Sequence, residues 1–309
     1  MFDLAIITLN FNSTDHTKRC VRSIIEKTSH EVRYQIIIVD NASEKEEFFE
    51  LKEFCEEINL NNLELFRSNI NLGFGGGHMF GVQFANAKYI AFVNNDILLL
   101  NDCLSILTKA LEKIPSAGIV GGQVFDSHGQ ALTSFNHFGS IIQVTLGNRF
   151  LETINKKRYP RRVACYNKPI IVNQTAGSLM MVRAVDFFEV GGFDTHIFLY
   201  YEETDLCKRL RKIQKYAVYV PFAKFTHVYG ASTKKSLLTR KEGKLSFFYM
   251  TRKHYGFICY CIGLVYYTIV FSAYSLIHPN HWSLVLMLLR GAPLSDSLKL
   301  KQKIKPLEM

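Results

Sequence analysis

The sequence predicts an α/β fold whose mainly parallel central sheet is covered on both faces by helices, followed by a basic, apolar helical tail. Three observations carry this expectation. Strand-length runs of uninterrupted apolar residues alternate with stretches of helical periodicity. The runs end in polar residues: Asn10, then Asp40-Asn41, then Asn94-Asn95-Asp96. Charge is distributed unevenly. Residues 1–233 carry 25 Lys+Arg against 24 Asp+Glu, whereas residues 234–309 carry 12 against 3.

The elements follow in order. The start, MFDLAIITLN, lacks a basic n-region and its apolar run is too short for a signal peptide, so 4–9 reads as a core strand. Thr14–Lys27 places Cys20, Val21, Ile24 and Ile25 on one helical face. QIIIV at 35–39 is a β-branched strand. Glu44–Glu57 is an acidic amphipathic helix with Ser43 as its expected N-cap. Leu63–Phe66 is a short strand, and a glycine-rich turn over Asn69–Gly77 leads into a helix running to Ala87. YIAFV at 89–93 is a strand, Leu98–Ile114 a helix and Gly118–Val124 a strand. From 125 to 175 the pattern loosens, and the basic residues at 156–162 read as a solvated loop.

Continuous apolar strands alternating with helices imply a parallel sheet buried on both faces. Such sheets bind ligands beyond the carboxyl ends of their strands. Asn10, Asp40-Asn41 and Asn94-Asn95-Asp96 are therefore expected to converge on one edge.

Composition narrows the class. With 48% apolar and 21% charged residues the chain can build a large core. Seven scattered cysteines without a CxxC pair argue against a structural zinc site or a disulfide framework. The basic residues of the tail flank apolar runs and carry no groove-reading motif, so nucleic acid is not an expected partner. Residues 255–277 contain no charge and five tyrosines, follow Arg252, Lys253 and His254, and precede a second apolar run at 282–289. The first run is long enough to span a bilayer, but its tyrosines suit an interface. Spanning, lying on a membrane surface and packing on the body all remain open for it, with the flanking cations favouring a membrane.

Four constellations bear on chemistry. A carboxylate at a strand end, as in Asn94-Asn95-Asp96, can ligate a hard divalent cation. The glycines at 73, 75, 76 and 77 permit a sharp turn or close approach to a ligand, but form neither a Walker loop nor a dinucleotide fingerprint. FLYYEETDLCKRL at 198–210 puts Glu202, Glu203 and Asp205 in the first turn of a helix with Leu206, Leu210 and Ile213 on its buried face. Acids there cap the macrodipole, or are desolvated by the aromatic residues before them into useful bases. His227 ends a short strand, as a metal ligand or as a core residue.

In order and spacing, VDNAS at 39–43, NxxLGFGGG at 69–77, FVNND at 92–96, VGGFD at 190–194, YYEETDLCKRL at 200–210 and His227 resemble glycosyltransferase family 2, in its rhamnosyltransferase-like branch. The resemblance covers about residues 3–233. It implies a GT-A domain over 1–233, a nucleotide-diphospho-sugar-binding sandwich, with 234–309 as a membrane-associating tail. It implies inverting transfer of a rhamnose-like sugar or other hexose from a dTDP- or UDP-type donor. The receiving group would be a hydroxyl of a glycan, lipid-linked, in cell-surface polysaccharide synthesis at the inner membrane face. Asp40 would bond the donor's base, with Thr8 and Asn10 lining the same pocket and Asn41, Asn71, Gly73, Gly75 and Gly76 around it. Asn94 and Asn95 would face the ribose or diphosphate. Asp96 and His227 would hold Mg²⁺ or Mn²⁺. Glu203 takes the place of the usual catalytic Asp, one methylene longer, which leaves Glu202 and Glu203 both open as the base, with Asp205 beside them. That departure, and the two Asn before Asp96, leave one other expectation standing: a catalytically silent sugar-nucleotide-binding or membrane-scaffold protein.

Overall fold

The computed structural model describes residues 1–227 and 236–306. The expected domain boundary at 233–234 lies outside the described residues. In chain order the body runs β1 (Phe2–Asn10), α1 (Thr14–Lys27), β2 (Tyr34–Asn41), α2 (Lys45–Ile58), β3 (Leu63–Ser68), α3 (Gly73–Val82), β4 (Ala87–Asn94), β5 (Ile97–Leu99), α4 (Cys103–Lys113) and β6 (Ala117–Phe125). It continues with β7 (Phe135–Asn136), α5 (Ile141–Ile154), β8 (Ile170–Val172), β9 (Gln174–Thr175), β10 (Leu179–Arg183), α6 (Ala184–Glu189), α7 (Glu202–Lys212) and β11 (Tyr216–His227). The tail holds α8 (Leu237–Ile277) and α9 (Trp282–Leu289).

The main sheet has the order β3-β2-β1-β4-β10-β6-β11-β5, with β8 also paired to β11. Strands β1 to β4 are mutually parallel, as are β6 and β11, while β10 runs antiparallel between β4 and β6. The period-2 alternation of side chains splits the apolar runs between two cores. Leu4, Ile6, Ile36, Ile38, Ala91 and Val93 face α1, α2 and α4. Ile7, Ile37, Val39, Ile90 and Phe92 face α3, α6 and α7. Asn10 pairs with Asp40 across β1 and β2, and Leu9 with Asn94 across β1 and β4, so the polar strand ends do share one edge.

Four local expectations change. Helix α2 starts at Lys45 after Glu44, and Ser43 does not cap it. Ser43 Oγ instead accepts from Asn12 N and Asn10 Nδ2 (2.9 and 3.2 Å). The glycine-rich segment is not a turn up to Gly77: helix begins at Gly73 and stops at Val82. Residues 97–99 form β5 on β11, and α4 starts only at Cys103, capped by Asp102. Within 125–175 the amphipathic α5 is present, capped by Ser140.

The tail is a helical hairpin. Ser236 and Thr239 form a capping box at the start of α8. The helix breaks at Gly256, whose φ of +84° lies in the left-handed region that glycine adopts without penalty. Beyond it, Gly263 and Tyr267 pack back on Phe248, and α9 contributes Leu284, Met287 and Leu288 to the same core. Several bonds tie the hairpin to the body. Ser246 Oγ donates to the Leu199 carbonyl (2.8 Å), Tyr249 OH to Asp194 (2.8 Å), and Lys253 Nζ to Asp194 and to Asp205 (2.7 and 2.6 Å). The tail thereby grips the loop that leads into α7.

Candidate active site

Two cavities meet at the start of α7. One, of about 530 Å³, lies over the carboxyl ends of β1, β2 and β4 and is lined by Asn41, Asn71, Gly73, Asn94, Asn95, Gly177, Ser178, Glu202 and Glu203. The other, of about 810 Å³, lies between body and tail and is lined by His137, Gln143, Gln174, Tyr201, Glu203, Arg240, Lys244 and His281. Glu203, with Tyr200 and Thr239, lines both, whereas Glu202 lines only the first.

Beneath the first cavity the strand ends form a buried polar layer. Asn10 Nδ2 donates to Asp40 Oδ1 (3.0 Å), and Asn10 Oδ1 accepts from Thr17 Oγ1 (2.8 Å). Asp40 Oδ2 accepts from Ser43 N (3.2 Å) and from Arg67 (2.5 Å). Arg67 is the residue that sequence reasoning missed here: it sits on β3 opposite Asp40 in register. Thr8, Asn10 and Asp40 are fully buried and lie behind the lining, not in it. Asn95 donates to Ser13 Oγ and Thr17 Oγ1 (2.7 and 2.8 Å), fixing the chain that turns from β4 toward β5.

The glycine segment shapes the wall. Asn41 Nδ2 donates to the Gly73 carbonyl and Asn71 Oδ1, while Asn41 Oδ1 accepts from Leu72 N (3.0, 3.1 and 2.9 Å). Gly73 has φ +73°, and a Cβ there would come 2.1 Å from the Phe198 carbonyl oxygen. A Cβ on Gly75 would meet Phe193 Cβ at 3.3 Å and Glu202 Cγ at 3.4 Å. A Cβ on Gly76 would meet Leu72 Cβ, one turn earlier, at 3.1 Å. Gly73 lines the cavity, whereas Gly75 and Gly76 serve close packing. His78, unremarked in the sequence, is wholly buried against Phe74 and Phe92, and burial pushes its imidazole down to about 3.

The acidic motif is reached through strained backbone. Tyr200 and Tyr201 have φ of +71° and +73°, a left-handed conformation that costs a bulky residue about 1 kcal/mol or more. Two such residues in succession turn the chain sharply into α7. Burial, and then the neighbouring Glu203 charge, raise the Glu202 carboxyl well above the usual carboxylate range. Among the described residues no group bonds its Oε1. Burial also raises Glu203, partly offset by the backbone N–H groups of Glu203 and Thr204. Gln174 Nε2 approaches Glu203 Oε1 at 3.4 Å, and Gln174 Oε1 accepts from Thr204 Oγ1 (2.7 Å). Gln174 lies on the two-residue β9, too short to show any periodicity.

Asp205 stands apart from both cavities. Its oxygens are held by Arg209 (2.8 Å), Lys253 (2.6 Å) and His254 (2.7 Å). Burial alone would raise its carboxyl, but the His254 bond and the Arg209 and Lys253 charges outweigh it and hold the group below its ordinary value.

Asp96 and His227 come together, with Nε2 3.1 Å from Oδ1 and both side chains largely buried. A carboxylate and an imidazole at this spacing suit Mg²⁺ or Mn²⁺ if diphosphate oxygens and water complete the shell. No cluster of three or more protein ligands occurs among the described residues.

Residues 5–187 match the model of the family described as glycosyl transferase family 2. The rhamnosyltransferase WbbL of Escherichia coli (strain K12) is 27% identical over 262 residues, covering 80% of this chain and 92% of its own length. The N-acetylglucosaminyl-diphospho-decaprenol L-rhamnosyltransferase of Mycobacterium tuberculosis (strain ATCC 25618 / H37Rv) is 24% identical over 271 residues, covering 82% of this chain and 85% of its own. Among solved structures, GalNAc-T7 with UDP, GalNAc and Mn²⁺ superposes with a TM-score of 0.59 at 16% identity. That match takes in 80% of this chain and 47% of the other, and shows the fold alone. The chain belongs to glycosyl transferase family 2: it is a glycosyltransferase of glycan biosynthesis, of the rhamnosyltransferase-like branch, built on the GT-A fold.

Proposed function

We propose that the chain transfers a rhamnose-like sugar or other hexose, with inversion, from a dTDP- or UDP-type donor to a hydroxyl of a lipid-linked glycan in cell-surface polysaccharide synthesis. The observation that carries this is Glu203, the carboxylate that lines both cavities. The smaller cavity, beyond the parallel strand ends, is the donor site. The larger one, between body and tail, receives the acceptor.

Glu203 takes the proton of the acceptor hydroxyl as its oxygen attacks the anomeric carbon. The bond from that carbon to the donor's diphosphate breaks, and the nucleoside diphosphate leaves with the electron pair. The desolvated Glu203 carboxyl, raised by burial, is the better base for it. Glu202, buried on the donor side only, shapes the pocket. Asp205 is a positioning residue that ties α7 to the tail. Asn41, Asn71 and Gly73 wall the donor site, while Asp40, Thr8 and Asn10 brace it from beneath. Asp96 and His227 would hold Mg²⁺ or Mn²⁺, which when bound offsets negative charge on the departing diphosphate.

Residues 1–233 are the catalytic domain and 234–309 a tail peripheral to the inner face of the membrane. Helix α8 is long and apolar enough to cross a bilayer, and 11% of its most apolar window is buried. Yet Gly263, Tyr267 and Ser275 are buried on one side of it, while Ile258, Ile262, Val265 and Ile269 are exposed. One packed face and one bare apolar face suit a helix lying in the interface plane.

The test is release of nucleoside diphosphate from a panel of donors, with Mn²⁺ or Mg²⁺ and with or without membrane lipid extract. Release that needs metal and extract supports the proposal. Donor binding without any release would favour the silent binding protein.

A further inference from the structure

We propose that a basic cavity between α5, α7 and α8 is a phosphate-binding site for an anionic phospholipid headgroup, and that α5 inserts into the same membrane beside the distal half of α8. The cavity, of about 480 Å³, is separate from the two at the active site. Arg158, Lys208, Arg211 and Lys212 line it, and no carboxylate does. Among the described residues none of these four has an ion-pair partner, and the nearby Asp205 is already committed to Arg209, Lys253 and His254. Lys208 Nζ sits 3.8 Å from the ring centre of Tyr255 and 4.7 Å from that of Phe138, which hold the ammonium in place. Burial, followed by the charges of Arg211, Lys212 and Arg158, brings its ammonium down to about 8. A phosphate anion in the cavity would offset the repulsion among these cations and favour the charged ammonium.

Part of the rim of this cavity is apolar. Ile142 of α5 lines it, and Tyr255 stands one residue before the Gly256 break. Both helices carry bare apolar side chains. Ile142 and Leu146 before the Gly147 break in α5, and Phe150 and Ile154 after it, are 41–63% exposed. Phe257, Ile258, Ile262 and Val265 of α8 are 53–75% exposed. The helices touch, since a Cβ on Gly263 would meet Ile141 Cδ1 at 2.8 Å. An apolar surface that ends at a cluster of unpaired cations is complementary to acyl chains below an anionic headgroup. The segment at 156–162, read in the sequence as a solvated loop, thus supplies Arg158 to a built site.

This inference rests in part on the in-plane reading of α8, and its test separates the two. Full-length protein is floated with phosphatidylcholine vesicles with and without phosphatidylglycerol. The compared variants are Lys208→Gln/Arg211→Gln, Leu146→Glu/Phe150→Glu and Ile262→Glu/Val265→Glu, with donor binding by calorimetry as the check on folding. The expected result is stronger partition onto the anionic vesicles by about tenfold or more, abolished in the first variant. Loss of binding to both vesicle types is expected for the second and third. If the first two variants partition like the parent while the third does not, the headgroup site and the role of α5 fall but the α8 reading stands. If the parent binds neither vesicle type, both fall. A dimer that Leu146→Glu/Phe150→Glu dissociates, without vesicle binding, also overturns the proposal in favour of a second copy of the chain.

Discussion

The carbonyl oxygen of Phe198 lies where a side chain on residue 73 would be: a Cβ on Gly73 would approach it to 2.1 Å, and Phe74 N donates to it at 2.9 Å. This contact joins the first turn of α3, which walls the smaller cavity, to the aromatic loop that leads into Glu202 and Glu203. Gly73→Ala therefore meets both a backbone clash and an unfavourable φ. We expect a loss of about 2–4 kcal/mol in chemical denaturation. Donor affinity should fall with it, read by calorimetry at a temperature where the variant remains folded.

Asp205 should prove structural. Asp205→Asn leaves Arg209, Lys253 and His254 without their shared carboxylate, at a cost of about 3–5 kcal/mol. The parent's own contribution has a definite sign. Its carboxyl is held below its ordinary value, so the stabilisation is complete above that value and is lost as pH falls through the lowered one. Denaturation midpoints of parent and variant should therefore converge toward acid pH, while donor affinity of the variant at neutral pH stays near that of the parent.

Glu202 should behave in the opposite way. Its raised carboxyl binds a proton more tightly in the folded than in the unfolded chain. Stability therefore falls as pH rises from the ordinary carboxylate value through the raised one. Glu202→Gln removes that term, so its melting temperature should exceed the parent's at alkaline pH and the difference should vanish in acid. Thermal scans of both proteins across pH provide the check.

The Asp96–His227 pair predicts a metal response. Asp96→Ala and His227→Ala should each raise the Mn²⁺ concentration needed for half-maximal transfer by about tenfold or more. Chelation of the parent protein should stop transfer, and added Mn²⁺ or Mg²⁺ should restore it.

Strands β1, β2, β3, β4 and β6 were legible as short apolar runs, whereas β5 was read as helix and β8 and the antiparallel β10 are too short or too late in the chain to stand out; α1 was legible to the residue because its buried face repeats cleanly. The candidate site was legible at the strand end Asn94-Asn95-Asp96 and at Glu202 and Glu203, since Asn94, Asn95 and both glutamates line the smaller cavity. Other features depend on tertiary packing that leaves no local pattern. Arg67 reaches Asp40 across two strands, Gln174 sits on a two-residue strand, and the cavity between body and tail is closed by residues distant in sequence. The glycines misled in a specific way: they permit a helix to lie close to β1, where Gly81 would otherwise strike Ile7 and Val39, and do not form an extended turn. Helix α5 escaped notice because its apolar residues face outward and Gly147, with φ +81°, interrupts the repeat.

The central claim is that Glu203, at the junction of the two cavities, is the base. The most direct measurement is sugar transfer by Glu203→Gln and Glu202→Gln side by side, with donor binding measured on the same preparations. We expect Glu203→Gln to bind donor and lose about 10²–10⁴ in kcat, and Glu202→Gln to keep most of its turnover. Turnover by Glu203→Gln within about tenfold of the parent would contradict the assignment, and the same loss appearing in Glu202→Gln instead would move the base to the donor side.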